Sequence, residues 1–205
     1  MNMKFYALPQ EKQDKIWNAA LKIFSTCNYK SASTIEIAKE ANISKALLFH
    51  YFINKKELYL SVYNYCISYV VNKLNKSGVG TEYDFFQALL LSQNCKCEIM
   101  TKYSFIFEFL IKAYSEAEPD IRLELDQAQK PLVEKSMTGF MKKVDKSKFK
   151  EGVDLKLLLK MIIWCADGCM RKKFQQPVVD PQEINREFAE VLLMLRKFFY
   201  KESAL

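Results

Sequence analysis

The stretch from Ser44 to Lys56 gathers ammonium, hydroxyl, imidazole and aromatic groups in one short segment. Ammonium and hydroxyl groups bind phosphate oxygens, and side chains on a helix that enters a major groove contact the edges of bases. This combination predicts a segment that grips and reads double-stranded DNA. We expect ten residues to contact the DNA: Thr34, Ser44, Lys45, Ala46, Leu47, Phe49, His50, Tyr51, Lys55 and Lys56.

Three helix-start signals would position these side chains. Ser33 and Glu36 have the spacing of a capping box, in which the hydroxyl accepts from the Glu36 amide and the carboxylate reaches back to the Ser33 amide. Ser44 can cap a second helix, and Asn54 with Glu57 can cap a third. The signals therefore predict three closely spaced helices.

The first two of these helices, about Thr34–Ala41 and Lys45–Tyr51, are joined by a very short connection. Asn42 tolerates the left-handed conformation that ends a helix, and Ile43 can fill the corner between the two helices. A short helix, a tight turn and a second short helix form a helix-turn-helix, whose second helix reads base edges.

Two roles are open to each of the less polar candidates. His50 is the only histidine of the chain. A lone histidine on an apolar helix is usually a structural hydrogen-bonding group, but the neighbours of His50 favour a contact with phosphate or base. Ala46 and Leu47 either fill local packing or, if they are exposed, touch thymine methyl groups.

Lys55 and Lys56 follow the Asn54 cap, at the positive end of the next helix. Cations at that position are unfavourable by up to about 1 kcal/mol. A DNA phosphate that faces the same helix end would offset this cost, as would solvation. We therefore expect both ammonium groups to bind phosphates.

The basic charge of the chain is concentrated near these residues. Residues 1–77 contain eleven Lys, no Arg and five acidic residues, a net charge of +6 out of the formal +7 of the whole chain. A polyanionic partner requires positive charge at its binding site. A Lys-rich soluble surface would explain the total charge but not its concentration in this part of the chain.

The composition favours helices throughout. Half of the 205 residues are apolar, and Gly and Pro number five each, which predicts an all-α protein of about nine helices. No apolar run approaches the ~20 residues that cross a bilayer, so we expect no contact with a membrane. Six Cys and the absence of a signal sequence indicate reduced thiols and a cytoplasmic protein.

We predict two domains. An N-terminal three-helix DNA-binding domain takes residues 1–54, with residues 1–8 as a frayed arm and a first helix from Pro9 to about Cys27. A helical bundle takes residues 55–205, with the helix 55–77 as its connector to the first domain. Beyond the break at Gly78-Val79-Gly80 we expect five helices, at about Tyr83–Asn94, Lys96–Ala117, Pro119–Val144, Asp154–Phe174 and Pro181–Lys201.

The N-terminal part resembles the TetR family of transcriptional repressors. Three groups of residues carry the resemblance: Ser33-x-x-Glu36-Ile37-Ala38, Ala41-Asn42-Ile43-Ser44-Lys45 and His50-Tyr51-Phe52-x-x-Lys55-x-Glu57-Leu58. The match joins caps, core positions and the start of a following helix at fixed spacing, over roughly residues 12–60. The chain departs from the family at Ala46, where Gly is frequent, at Leu47, where a polar residue is frequent, and at Phe49, where Tyr is usual.

The resemblance implies a pocket for a small-molecule effector in the second domain. Met and aromatic residues are abundant there, and a helical bundle with such adaptable walls can enclose a small, largely apolar ligand. The same residues would otherwise form ordinary core. The candidate lining residues are Met100, Tyr103, Phe107, Met137, Phe140, Met141, Met161 and Trp164.

The resemblance also implies a homodimer through the last two long helices. We call the predicted DNA-binding domain, residues 1–54, the reading head. Two reading heads related by a two-fold axis bind adjacent half-sites and multiply the specificity of a single one. The candidate residues of a four-helix seam are Leu158, Ile162, Cys165, Cys169, Phe188, Val191, Leu192, Leu195 and Phe199.

Other chemistry has little support. Cys95 and Cys97 point to different faces of a helix, and no His or second Cys pair lies nearby, so we predict no zinc site. Cys165 and Cys169 share a face, which suits packing as well as a thiol sensor. The chain has no G-x-G-x-x-G, P-loop or G-x-S-x-G motif. We therefore expect no enzyme, no cofactor and no metal.

These features together predict a dimeric repressor that a small, largely apolar ligand releases from its operator DNA. Two alternatives remain: an activator or DNA-binding protein without a small-molecule switch, and a helical module that binds other proteins instead of DNA.

Overall fold

The computed structural model describes residues 3–176 and 178–205, with the side chains of all of these except residues 129, 130 and 133. The described chain is all-α, as predicted, and its one strand-type contact is an antiparallel bridge between Phe149 and Tyr200. Ten α-helices are found in these residues: α1 (Met3–Tyr6), α2 (Gln10–Thr26), α3 (Thr34–Glu40), α4 (Lys45–Tyr51), α5 (Lys55–Lys76), α6 (Phe85–Lys102), α7 (Phe105–Ser115), α8 (Pro119–Lys143), α9 (Leu155–Lys173) and α10 (Pro181–Phe199).

The chain divides into two compact units. The first contains residues 3–69 and 103–130, and the second contains residues 70–102 and 131–205. The first unit therefore includes α7 and part of α5 and α8, in addition to the predicted DNA-binding domain of residues 1–54. The predicted boundary at residue 54 does not coincide with this division.

The hydrogen bonds to the three predicted cap side chains are formed, but the return bond of the capping box, from the Ser33 amide to the Glu36 carboxylate, is not found among the described residues. The Ser33 hydroxyl accepts a hydrogen bond from the Glu36 amide at 3.3 Å, and the Ser44 hydroxyl accepts one from the Leu47 amide at 3.0 Å. At the start of α5 the Asn54 side chain accepts from the Glu57 amide at 2.8 Å. Each cap satisfies an amide that would otherwise lack a partner at a helix start.

The turn between α3 and α4 also has the predicted conformation. Asn42 adopts a φ of 54°, in the left-handed region, and the Ile43 amide donates to the Ala38 carbonyl at 2.9 Å. These two features end α3 within a few residues and allow α4 to begin at Lys45.

The prediction of a frayed N-terminal arm is wrong for residues 3–8; residues 1 and 2 lie outside the described part. Residues Met3–Tyr6 form a short helix, and Phe5 is fully buried. The Phe5 ring lies 4.6 Å from the Trp17 ring and 4.9 Å from the Phe52 ring, centroid to centroid. The buried aromatic contacts thus hold the arm on the core.

One predicted helix break is misplaced. The helix α6 runs through Asn94 and Cys95, and the chain breaks instead between Lys102 and Phe105. Asn and Cys have low helix propensity, which suggested a break, but the helix buries side chains on several sides and tertiary packing prevails over propensity.

The core of the second unit surrounds the N-terminal part of α6. Phe85 and Phe86 are fully buried and form edge-on contacts with Phe149, at 5.5 Å for Phe85, and with Tyr200, at 5.1 Å for Phe86. Other members of this core are Val144, Leu158, Leu159, Ile162 and Leu192.

Part of the predicted dimer seam belongs to this core, so the prediction is wrong for those residues. Leu158, Ile162 and Leu192 are buried within the chain itself. Helices apolar on more than one side offer two stripes, and the sequence pattern does not tell which of them faces the chain's own core.

A buried ionic network fixes the start of α6. The Asp84 carboxylate accepts from the Lys148 ammonium at 2.7 Å, from the Gln87 amide at 2.9 Å and from the Tyr200 hydroxyl at 3.1 Å. Burial raises the pKa of Asp84, but these hydrogen bonds and the Lys148 charge outweigh it, so the pKa of Asp84 lies below its usual value. The network joins three separate segments of the second unit.

Of the helices in the described residues, none combines the length and the apolar character needed to cross a membrane.

Candidate nucleic-acid interface

The helix α4 presents one side to the protein and the other to solvent. Leu48 is fully buried, and Phe52, one turn later, is buried too. These two side chains anchor α4 on α2 and α3, since residues four apart share one face of a helix. The first three residues of α4 and His50 are exposed on the other sides of the helix.

Three polar candidates on α4 and at its cap are exposed. Ser44, Lys45 and His50 are all exposed, and Ala46 lies beside them on the surface. Neither Lys45 nor His50 points into the interior, as a helix that reads DNA requires. Within the described residues, the Lys45 ammonium has no ion pair; it lies 5.8 Å from the centre of the Phe49 ring.

The candidates on the other side of α4 are half-buried. Phe49 supports the Lys45 side chain, and Tyr51 lies 5.9 Å from the buried Phe5 ring, centroid to centroid. The His50 and Tyr51 rings are in edge contact at 5.7 Å. The far end of α4 is thus braced by the N-terminal helix, which the sequence pattern did not indicate.

Lys55 is engaged within the protein. Its ammonium donates hydrogen bonds to the carbonyl oxygens of Lys30 and Ala32, each at 2.9 Å, and lies 4.8 Å from the centre of the Tyr29 ring. Desolvation by burial lowers the pKa of Lys55. The Lys55 ammonium thus holds the loop before α3, in place of the phosphate contact that the sequence predicts for it.

Lys56 is paired as well. Its ammonium forms an ion pair with the Glu124 carboxylate of α8, within the first unit. Both side chains are more than one-third exposed, so the pair is open to solvent and to competing anions. A phosphate could bind Lys56 only by displacing or sharing this carboxylate.

The predicted interface omitted an exposed isoleucine, Ile35. Ile35 lies in the first turn of α3, next to the half-buried Thr34, and 61% of its surface is exposed. Leu47 on α4 is also exposed. An apolar residue in a segment rich in charge can indicate a binding surface if it is exposed. The helical pattern alone does not show whether Ile35 faces the core or the solvent.

The effector candidates occupy different environments. Met100 is buried, and Met137, Phe140 and Met141 pack against the core of the second unit. Tyr103 and Phe107 are half-buried and belong to the first unit. Met161 and Trp164 are exposed on α9, with 58% of the Trp164 surface accessible, so they face away from the chain's own core.

The cysteines are mostly protected. Cys95 and Cys97 are buried, burial raises the pKa of both thiols, and the Cys97 thiol donates to the Pro181 carbonyl at 3.3 Å. A raised pKa lowers the thiolate fraction and hence the reactivity. Cys165 is exposed on α9. Among the described residues, no three His, Cys, Asp or Glu side chains come together in a group that could hold a metal ion.

The helix-turn-helix coincides with a known sequence family. Residues 16–62 match the family model for bacterial regulatory proteins of the tetR family. These residues include α3, α4 and the caps described above. This part of the chain thus resembles bacterial regulatory proteins of the tetR family.

Two TetR-like relatives match the N-terminal part. The uncharacterized HTH-type transcriptional regulator YuxN of Bacillus subtilis (strain 168) is 46% identical over 56 residues, 27% of this chain and 19% of YuxN. The biofilm operon icaADBC HTH-type negative transcriptional regulator IcaR of Staphylococcus aureus (strain Newman) is 30% identical over 99 residues, 48% of this chain and 45% of IcaR. These matches span less than half the length of either relative.

The fold extends the similarity beyond the N-terminal part. The fatty acid degradation regulator FadR from Bacillus halodurans has a similar structure, with a TM-score of 0.70 over 88% of this chain and 97% of FadR. The sequence identity is 19%, so the comparison establishes a shared fold. The similarity of fold thus extends beyond the residues that the family model matches.

Proposed function

We propose that this chain is a TetR-family transcriptional repressor that binds operator DNA as a dimer. The observation that carries the proposal is the exposed side of α4, where Lys45 and His50 stand at the surface while Leu48 fixes the helix on the core. A recognition helix requires this arrangement, because its outer side chains must reach base edges. Repression is supported by the similarity to IcaR, which is a negative regulator.

The dimer has a candidate surface on the last two long helices. Leu157, Met161 and Trp164 are exposed at helical spacing on α9. Val191, Met194 and Phe198 are exposed at helical spacing on α10, with 67% of the Phe198 surface accessible. Contiguous exposed apolar side chains mark interaction sites in soluble proteins. A second copy of the chain that packs against both stripes would bury them.

The effector is proposed as a small, largely apolar ligand of the second unit. Met100, Met137, Phe140 and Met141 are candidates for its walls, because thioether and aromatic side chains adapt to irregular apolar ligands. Ligand binding would lower operator occupancy only if the ligand binds the DNA-free state more tightly. By thermodynamic linkage, a ligand that lowers the affinity of the protein for operator DNA must itself bind less tightly when operator DNA is bound.

A salt titration of DNA binding tests the central proposal. The purified protein is offered duplex DNA from the region upstream of its own gene, and binding is followed by fluorescence anisotropy from low to moderate salt. A specific complex should weaken steeply with salt, and Lys45→Ala should reduce the slope of log K against log[salt] by about 0.9 if one phosphate contact is lost. Lys146→Ala, an exposed lysine of the second unit, is the matched control.

Absence of binding at low salt would overturn the proposal and leave an interaction module as the better interpretation. An equal loss of slope in Lys45→Ala and Lys146→Ala would remove α4 from the interface.

A further inference from the structure

The helix-turn-helix, residues 33–52, contains no Arg and no Gln, two of the side chains that read purines. Arg binds guanine and Asn or Gln binds adenine through paired hydrogen bonds. No Arg occurs before residue 122, and no Gln occurs between Gln13 and Gln87. The Gln13 amide donates to the carbonyls of Tyr6 and Leu8, at 3.3 and 2.8 Å, so it serves the N-terminal segment.

The asparagines of the helix-turn-helix serve its backbone. Asn42 holds the left-handed turn after α3, and the Asn54 side chain accepts the Glu57 amide at 2.8 Å to cap α5. Neither is placed on the exposed side of α4. Lys45 and His50 are the exposed polar side chains of α4.

The exposed positions at the start of α4, where polar side chains could contact base edges, hold apolar residues. Ala46 and Leu47 are exposed in the first turn of α4, the part of a recognition helix that contacts base edges. Ile35 is exposed in the first turn of α3, where the first helix of a helix-turn-helix meets the DNA backbone. In the major groove, the apolar feature of a base pair is the C5-methyl group of thymine.

We propose that the operator is recognised mainly through thymine methyl groups, with Leu47 and Ala46 as the specificity-determining contacts and Ile35 as an apolar contact at the edge of the site. The inference rests on the proposed function, since it assigns the class of DNA sequence that the same interface reads. The half-site would be rich in A·T pairs, with Lys45 and His50 adding polar contacts. Removing one buried methyl group should weaken binding on the order of fourfold.

Deoxyuridine substitution isolates the methyl contribution. High-affinity sites are first selected from a random duplex library, and single thymidines of the half-site are then replaced by deoxyuridine, which keeps every hydrogen-bonding group and removes only the methyl. We expect at least two positions at which the affinity falls about fourfold. Adding the methyl back through 5-methyl-deoxycytidine in a C·G pair should recover part of the loss relative to unmodified deoxycytidine.

Variants assign the methyl contacts to residues. Leu47→Ala should weaken binding to the thymidine site and abolish the sensitivity to deoxyuridine at one position, whereas Ile35→Ala, at the edge of the site, should weaken binding and leave that sensitivity in place. Val71→Ala, an exposed apolar residue of the second unit, is the matched control and should retain both the affinity and the sensitivity. Far-UV circular dichroism and the midpoint of thermal unfolding verify that each variant is folded.

The outcomes separate the two levels of the proposal. Selection of a defined site whose affinity is unchanged by deoxyuridine at every position would overturn recognition through methyl groups while the repressor proposal stands. Unchanged sensitivity in Leu47→Ala would overturn the assignment to α4. Failure to bind any duplex at low salt would overturn the repressor proposal as well.

Discussion

The ammonium group of Lys55 lies 2.9 Å from the carbonyl oxygen of Ala32, so the start of α5 closes the loop that precedes α3. The same loop is held from a second side, because the Tyr29 amide donates to the Glu116 carboxylate at 2.9 Å. Since α3 begins two residues after Ala32, these contacts fix the position at which the helix-turn-helix begins. We therefore expect Lys55 to affect the proposed DNA binding through the position of the helix-turn-helix.

Lys55→Met should therefore lower the stability of the folded protein and have little effect on the salt dependence of DNA binding. The substitution keeps most of the side-chain length but leaves two carbonyl oxygens without their donor, which should lower the free energy of unfolding by about 1–3 kcal/mol. Urea denaturation measures the loss. Lys30→Met, an exposed lysine of the same loop, is the control and should change stability by less than about 0.5 kcal/mol. A stable Lys55→Met protein with a markedly flatter salt slope of DNA binding would restore Lys55 as a phosphate contact.

The N-terminal helix should be needed for the integrity of the reading head. Phe5→Ala removes a fully buried ring that contacts Trp17 and Phe52, and it should lower the free energy of unfolding by about 3–5 kcal/mol. Met3→Ala lies in the same helix, but Met3 is 85% exposed, so that variant should be nearly neutral. Thermal unfolding of the two variants gives the comparison, and equal stabilities would mean that the arm does not pack in solution.

The elements of the reading head were predictable because local chemistry specifies them. Ser33, Ser44 and Asn54 are side chains that accept amide hydrogen bonds at helix starts, and Asn42 tolerates a positive φ, so the bounds of α3 and α4 follow from the sequence. Phe5 was missed since its burial depends on aromatic partners distant in the sequence, and a lone aromatic residue in a polar stretch has no period that predicts it.

The sites of the second unit were less predictable for a related reason. Leu158 and Trp164 both lie on an apolar helix, yet the first is buried in the chain's own core and the second is exposed. Composition predicts that such a helix has two apolar sides, but the assignment of each side depends on where the neighbouring helices lie. The partners of Lys55 were unpredictable as well, because they are backbone carbonyl groups and no sequence motif identifies them.

The buried carboxylate of Asp84 should make stability depend on acid. The pKa of Asp84 lies below its usual value in the folded protein, because the hydrogen bonds and the charge of Lys148 outweigh the desolvation that raises it. A carboxyl group with a lowered folded pKa contributes stability above its unfolded pKa, about 3.9, and loses that contribution as the pH falls through the folded value. Stability should therefore decline below about pH 4.

Asp84→Asn isolates this contribution. The variant should be less stable at pH 7 by about 2–3 kcal/mol, since it loses charge-assisted hydrogen bonds to Lys148 and Tyr200. The difference from the wild type should shrink as the pH is lowered, because protonation removes the same charge from the wild-type carboxyl group. Urea denaturation between pH 7 and pH 3 tests this, and a difference that is independent of pH would exclude the carboxylate charge as its cause.

The exposed stripes of α9 and α10 should control the oligomeric state. Trp164→Glu places a charge in the apolar α9 stripe and should convert the proposed dimer to a monomer at micromolar concentrations, since an unpaired charge is costly to bury at an interface. Val178→Glu is the matched control, because Val178 is 78% exposed and lies in the connection before α10. Sedimentation velocity distinguishes the states. A dimer that survives Trp164→Glu together with Phe198→Glu would place the interface elsewhere.

The ion pair of Lys56 with Glu124 should oppose DNA binding. In the folded protein the Lys56 ammonium, in the first turn of α5 after the Asn54 cap, is paired with the Glu124 carboxylate. Glu124→Gln removes the competing charge, and the affinity for operator DNA at low salt should rise by a few-fold, with a salt slope steeper by up to about one phosphate contact. Glu134→Gln, an exposed acidic residue further along α8, controls for the general change in net charge. If both variants raise the affinity equally, the effect is one of total charge, and the pair with Lys56 has no specific part in it.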